Sequence, residues 1–127
     1  MEEQKTRILG IDPGTNVLGF AIIDASKKDI KVIEIGVVTF AHLGSEQTVK
    51  LRYIFEQVQD LIRQHRPTEM AIEQPFYAKN VQSMLKLGRA QGVAIAAGMV
   101  NNLATTEYMN KKIKSAVTGN GNASKEQ

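Results

Sequence analysis

Apolar and polar residues follow two different periods along the chain, and these periods predict its strands and helices. Residues 7–11 are nearly all apolar, which is typical of a strand buried on both faces, and residues 17–23 predict a second strand after a Pro-Gly turn. Alternation over residues 30–40 predicts a third strand. Because the links between the three are short, we expect an antiparallel meander.

The period changes after residue 44, where apolar residues begin to recur every three or four positions. This spacing predicts a long amphipathic helix over residues 45–66, which Pro67 ends. The remaining segments predict a strand at 68–73, a helix from 81 to about 101 that Asn80 caps, a strand at 103–106 and a helix from 107 to about 117.

The predicted order of elements, β-β-β-α-β-α-β-α, favours an α/β fold. The first helix can return the chain so that the fourth strand lies parallel to the first. We therefore expect a mixed five-stranded sheet, with three antiparallel strands followed by parallel additions and helices on both faces. Residues 1–127 are interpreted as a single domain, since the length suits one core and no internal repeat is visible.

Two carboxylates stand where predicted strands end: Asp12 after the first strand and Glu73 after the fourth. If those strands are parallel neighbours, about 4.8 Å apart, both side chains lie at one edge of the sheet and could share a divalent ion. Hard oxygen ligands favour Mg²⁺ or Mn²⁺ over zinc. From spacing alone, a turn-forming Asp and a surface Glu explain the pattern as well. His42 and His65 are poor candidates for ligands.

Composition narrows the classes of function. The chain has no cysteine, which excludes disulfides, thiolate metal sites and cysteine nucleophiles, and fits a reducing cytoplasm. We find no signal-peptide pattern at the start and no apolar run long enough to cross a membrane. The net charge of +3 is concentrated in the second half, which suits either a polyanionic partner or a solvated surface.

Small residues recur every four positions on one face of the second long helix, at Gly88, Gly92 and Ala96. Small side chains at this spacing let another backbone approach closely. The partner could be the sheet of the same chain or a second subunit.

Several longer motifs resemble those of the bacterial crossover junction endodeoxyribonucleases, the RuvC-type Holliday junction resolvases. The first block is ILGIDPG at residues 8–14 with Gly19-Phe20, which actin-like ATPases share in part. The second block is longer and more specific, and the resemblance then continues to the end of the chain. Its motifs are AIEQ at 71–74, Phe76, AKN at 78–80, LKLGRA at 85–90, GVAI at 92–95, Glu107-Tyr108, Lys114, Thr118-Gly119 with Gly121, and Lys125.

The resemblance implies a ribonuclease H-like fold and a cytoplasmic homodimer. It also implies Mg²⁺-dependent nicking of four-way DNA junctions in recombination and repair, with Mn²⁺ as a substitute metal and branch-migration proteins as partners. Asp12 and Glu73 match catalytic, metal-binding acids of the family. The matching DNA-binding positions are Phe76, which would stack on a base, and the lysines Lys79, Lys86, Lys114 and Lys125. Gly88, Gly92 and Ala96 would make the dimer contacts.

The chain departs from the family pattern in one respect. The family holds its metal with four acids, and the second pair lies on a C-terminal helix for which we find no matching segment before Gln127. We therefore expect half of the metal-binding acids, and little or no cleavage by this chain alone. The alternative is a junction-binding, dimerising module without catalysis. An actin-like ATPase fragment is a third reading, which would need a second phosphate loop.

Overall fold

The computed structural model describes residues 4–74 and 80–108, and these residues build a five-stranded mixed sheet with two long helices. The strands are β1 (Thr6–Pro13), β2 (Val17–Ala25), β3 (Ile30–Thr39), β4 (Glu69–Glu73) and β5 (Ala104–Tyr108). The helices are α1 (Gln47–His65) and α2 (Val81–Val100), and a short 3₁₀ turn covers Ala41–Leu43. Strand order is β3-β2-β1-β4-β5, antiparallel across β3-β2-β1 and parallel across β1-β4-β5. The predicted α/β mixed sheet is confirmed.

One face of the sheet carries the main core. Leu9, Ile11, Ile22, Met70 and Ile72 alternate along their strands and are at most 1% exposed. They belong to one buried cluster with side chains from both helices, and α1 packs against α2. We call this side the helix face. Neither described helix is long and apolar enough to cross a membrane.

The opposite side, which we call the second face, has no described helix on it. The residues of this face include Gly10, Ala21, Ile23 and Ala71, which alternate with the residues of the helix face. The sequence predicted helices on both faces, but α1 and α2 both lie on the helix face. The third predicted helix falls mostly outside the described residues.

The start of that third helix was predicted wrongly. Glu107 and Tyr108 are the last residues of β5, where they pair with Ile72 and Glu73 of β4. The amide of Gln74 also donates to the carbonyl oxygen of Tyr108, at 2.7 Å. The parallel ladder supplies these backbone groups with hydrogen bonds, and this tertiary contact outweighs the local helix preference.

Arg7 joins three elements at the amino-terminal end of β1. Its guanidinium donates to both carboxylate oxygens of Asp24 on β2, at 2.7 and 2.9 Å, and to the carbonyl oxygen of His65 at the end of α1, at 3.1 Å. The hydrogen bond from Arg7 lowers the pKa of Asp24, and the same bond raises the pKa of Arg7. The pair therefore favours the charged forms and stabilises the packing of α1 over the β1–β2 hairpin.

Asp24→Asn should weaken the fold by about 0.5–1 kcal/mol near pH 7, the range for partly exposed ion pairs. Because the pKa of Asp24 is lower in the folded state, this stabilisation is present above the unfolded value. It is lost as pH falls from about 4 through the folded value. Urea unfolding of both proteins at pH 7 and pH 3 measures the difference. Asp60→Asn, at an exposed position on α1, is the control. A difference that is equal at both pH values would contradict the account.

Arg66→Gly should stabilise the protein by about 0.5 kcal/mol. Arg66 follows α1 with φ 53° and ψ 52°, a left-handed conformation that a side chain disfavours and glycine adopts freely. Arg63→Gly, three residues earlier and inside α1, should instead destabilise by about 1 kcal/mol. Thermal unfolding of both variants checks the opposite signs, and a loss at both positions would refute the argument.

Candidate metal centre at the carboxyl ends of β1 and β4

The parallel register brings the two candidate carboxylates side by side. Ile11 of β1 pairs with Ile72 of β4, so Asp12 and Glu73 follow one step further along neighbouring strands. Ile11 and Ile72 point into the core, at 1% and 0% exposure. Because side chains alternate along a strand, Asp12 and Glu73 both point to the second face, with backbones about 4.8 Å apart.

On the second face, small residues lie beside the two carboxylates along β1, β2 and β4, whereas Tyr108 of β5 pairs with Glu73 on its other side. Gly10 and Ala71 pair with each other two residues before the acids, and Gly19 of β2 pairs with Asp12. A Cβ on Gly19 would lie 3.7 Å from the Cβ of Asp12. No bulky side chain of these three neighbours stands beside the acids, which leaves room for an ion and a substrate group.

A tight turn follows Asp12 and fixes the end of β1. Gly14 is required there, because a Cβ on it would overlap the carbonyl oxygen of Val17. The carbonyl oxygen of Asn16 accepts a hydrogen bond from the amide of Phe40 at 2.9 Å, which ties the turn to the end of β3. The turn that follows Asp12 is therefore fixed both by its own close backbone packing and by a hydrogen bond to Phe40.

Lys50, which was not among the residues predicted from the sequence, reaches the same turn from α1. The residue is 9% exposed, and its Nζ donates to Oδ1 of Asn16 at 3.2 Å. The signal was available: Lys50 precedes Ile54 by four residues and Val58 by eight, so it occupies the inward stripe of an amphipathic helix.

The donor set suits a hard divalent cation. Asp12 is exposed and Glu73 half-buried, and carboxylate oxygens are the ligands that Mg²⁺ and Mn²⁺ prefer. Neither histidine joins them. His42 makes an edge-on ring contact with Tyr53, and His65 pairs with Glu34 through a 2.7 Å contact. In residues 4–74 and 80–108, no group of three or more His, Cys, Asp or Glu side chains comes together.

The small-residue face of α2 points away from the sheet. Gly88, Gly92 and Ala96 are exposed, and nothing lies within 4 Å of a Cβ built on either glycine. The sheet-facing positions of α2 are others, namely Ala90, Ala94, Ala97 and Gly98. Two partners were considered for this face, the sheet of the same chain and a second subunit. In the described residues, the sheet does not pack against it.

The basic residues are only partly described. Lys86 is exposed on α2, one turn before Arg89, which is also exposed. Phe76, Lys79, Lys114 and Lys125 lie outside the described residues.

A sheet of this order, with an acid at the carboxyl end of β1 and another beside it on β4, defines the ribonuclease H-like class. Solved structures agree. RuvC of Thermus thermophilus in complex with a Holliday junction substrate superposes with a TM-score of 0.79 at 24% identity, covering 95% of this chain and 73% of that one. The yeast mitochondrial Holliday junction resolvase Ydc2 gives 0.65 at 13% identity, covering 90% and 55%. At these identities the likeness shows the fold.

Sequence comparison shows the family. The model of the family "Crossover junction endodeoxyribonuclease RuvC" matches residues 8–127, and the chain belongs to this family. The RuvC of Christiangramia forsetii is 54% identical over 120 residues, which are 94% of this chain and 62% of that protein. The RuvC of Porphyromonas gingivalis is 45% identical over 127 residues, or 100% and 67%. The chain thus spans about six-tenths of the length of the first of these relatives.

Proposed function

We propose that this chain forms the nuclease domain of a Holliday junction resolvase, which nicks DNA at four-way junctions with the help of divalent ions. The observation that carries the proposal is the placement of Asp12 and Glu73, each one residue beyond the paired Ile11 and Ile72, on one face of a ribonuclease H-like sheet. Membership of the RuvC family supports the choice of a junction as the substrate. Branch-migration proteins would be its partners, and the cytoplasm its location.

Asp12 and Glu73 would hold Mg²⁺, for which Mn²⁺ would substitute. When bound, such ions activate water and stabilise the oxygen that leaves phosphorus. The residues of this chain contribute charge and placement: two carboxylates on neighbouring strands, on a surface that Gly10, Gly19 and Ala71 keep low. A phosphodiester backbone can therefore approach both acids closely.

The DNA contacts and the dimer are further parts of the proposal. Lys86 would neutralise a backbone phosphate from α2, with Lys79, Lys114 and Lys125 in the same role and Phe76 stacked on a base. The outward face of α2 would join two copies through Gly88, Gly92 and Ala96. The exposed apolar side chains Val81, Leu85 and Met99 on the same helix support this, at 74%, 49% and 65% exposure.

In this chain joined to a C-terminal helix that supplies the family's second pair of acids, Asp12→Asn and Glu73→Gln should each slow nicking of a synthetic four-way junction in Mg²⁺ by about 100-fold or more, because each removes a charged ligand of the ion. Strand-labelled junctions on denaturing gels measure the rate. Asp60→Asn, which removes an exposed carboxylate of α1, should leave it unchanged. If Asp12→Asn cuts as fast as the parent, the nuclease assignment is wrong.

A second candidate function is junction binding without cleavage. The observation that favours it is the donor set, since the described residues bring two carboxylates together and no third. Gel-shift lanes that compare the junction with linear duplex, scored for nicks at the same time, separate the two candidates. Selective binding with no nicks supports the binding module, and equal binding to both DNAs contradicts both functions.

Gly92→Glu should convert a dimer into a monomer, because it places a charged side chain at the centre of the proposed helix–helix contact. Sedimentation velocity measures the mass in solution. Gln64→Glu, which adds the same charge at an exposed position on α1, is the matched control and should remain dimeric. A Gly92→Glu protein that sediments as a dimer would remove this face from the interface.

A further inference from the structure

Lys50 occupies a position that is unfavourable for a cation in two ways. Lys50 is 9% exposed as a residue, and its ammonium forms a part-buried hydrogen bond to the exposed Asn16, so the group is withdrawn from water in part, which is costly. It also lies in the first turns of α1, near the positive end of the helix dipole, where the N-cap residue Glu46 is an acid but the first turn itself has none. Local stability would be better served by an apolar residue.

The contact that Lys50 makes is a tertiary one. Its Nζ donates to Oδ1 of Asn16, 34 residues earlier in the chain, at 3.2 Å. The nearby Glu46 is engaged with the hydroxyl of Thr48 at 3.4 Å, and in the described part of the chain no carboxylate forms an ion pair with Lys50. Among the described residues, the ammonium group of Lys50 therefore has the amide oxygen of Asn16 as its side-chain acceptor.

Asn16 is the point at which three elements meet at the carboxyl edge of the sheet. It closes the turn after Asp12, its carbonyl oxygen holds the amide of Phe40 after β3, and its side chain holds α1 through Lys50. Loss of the Lys50 contact would free the tip of the hairpin from the helix layer. The backbone of Asp12 lies only four residues before that tip.

We propose that Lys50 is a positioning residue for the metal centre: by holding Asn16, it fixes the turn that sets Asp12 opposite Glu73. The inference rests on the proposed function, because it assumes that these two acids bind a divalent cation. Lys50 itself touches neither metal nor substrate. Its charge is retained for the placement of Asp12 rather than for the stability of the domain.

The proposal predicts that replacement of Lys50 lowers the affinity for the metal without lowering the stability of the fold. In Lys50→Met the side chain keeps its length and apolar stem, and no buried charge is left unpaired. The midpoint of urea unfolding should therefore stay the same or rise. Affinity for Mn²⁺ should fall about 3- to 10-fold, at or below the low end of the range for residues that orient metal ligands.

The test uses the 127-residue chain and Mn²⁺ as the probe. Paramagnetic broadening of the backbone amide signals of Gly10, Ile11, Asp12 and Gly14 is titrated by NMR in wild type, Lys50→Met, Lys50→Arg and Asn16→Ala. Lys50→Arg keeps a donor for Asn16 and should restore most of the affinity, whereas Asn16→Ala should lose as much as Lys50→Met. Arg52→Met removes a cation whose side chain is 82% exposed on the same helix, and should change nothing.

Asp12→Asn distinguishes the two ways in which the test can fail. If broadening in wild type is the same in Asp12→Asn, there is no metal site at Asp12, and both the proposed function and this inference are overturned. If Asp12→Asn abolishes broadening but Lys50→Met and Asn16→Ala bind Mn²⁺ like wild type, only the positioning role is overturned. The same holds if Lys50→Met fails to fold while Asn16→Ala keeps full affinity.

Discussion

The parallel pairing of β1 with β4 is the constraint on which the site depends. An antiparallel arrangement would place Glu73 beside the start of β1, far from Asp12. A slip of one residue would turn Glu73 towards the helix face, because side chains alternate along a strand. The chain secures the pairing with α1, which spans Gln47–His65 and covers the sheet as it returns the chain to β4. The two buried isoleucines at Ile11 and Ile72 fix the register immediately before the acids.

Much of this arrangement could be predicted because the signals are local and strong. Apolar runs that end in an acid marked both strands of the site, and the helix-length segment between them implied their parallel pairing. The outcome at Glu107 and Tyr108 could not be predicted in this way, because hydrogen bonds to a distant strand decide it. The same limit applies to the side of the sheet that each helix covers. The inward position of Lys50 was readable from its spacing to Ile54, but its partner Asn16 was not.

The two faces of the sheet differ in the residues they carry and in their role. The helix face is filled by large apolar side chains such as Leu9 and Met70, and two helices cover it. Along β1, β2 and β4 beside the acids, the second face carries glycine and alanine, which are weak strand formers. Residues that weaken a strand locally are thus concentrated where chemistry needs access to the backbone. The lost stability of these strands is offset by the apolar packing on the helix face and by contacts such as that of Arg7 with Asp24.

The irregularity between β2 and β3 determines where this chain can change in length. Ile22 pairs with Glu34 and Ile23 with Val32, so Ile33 has no partner of its own in the ladder. Deletion of Ile33 would leave every other cross-strand pair intact and every side chain on its present face, whereas loss of a residue elsewhere in β3 would invert part of the strand. The edge of the sheet thus contains one position at which a deletion can occur without disturbing Asp12, two strands away, or Glu73, three strands away.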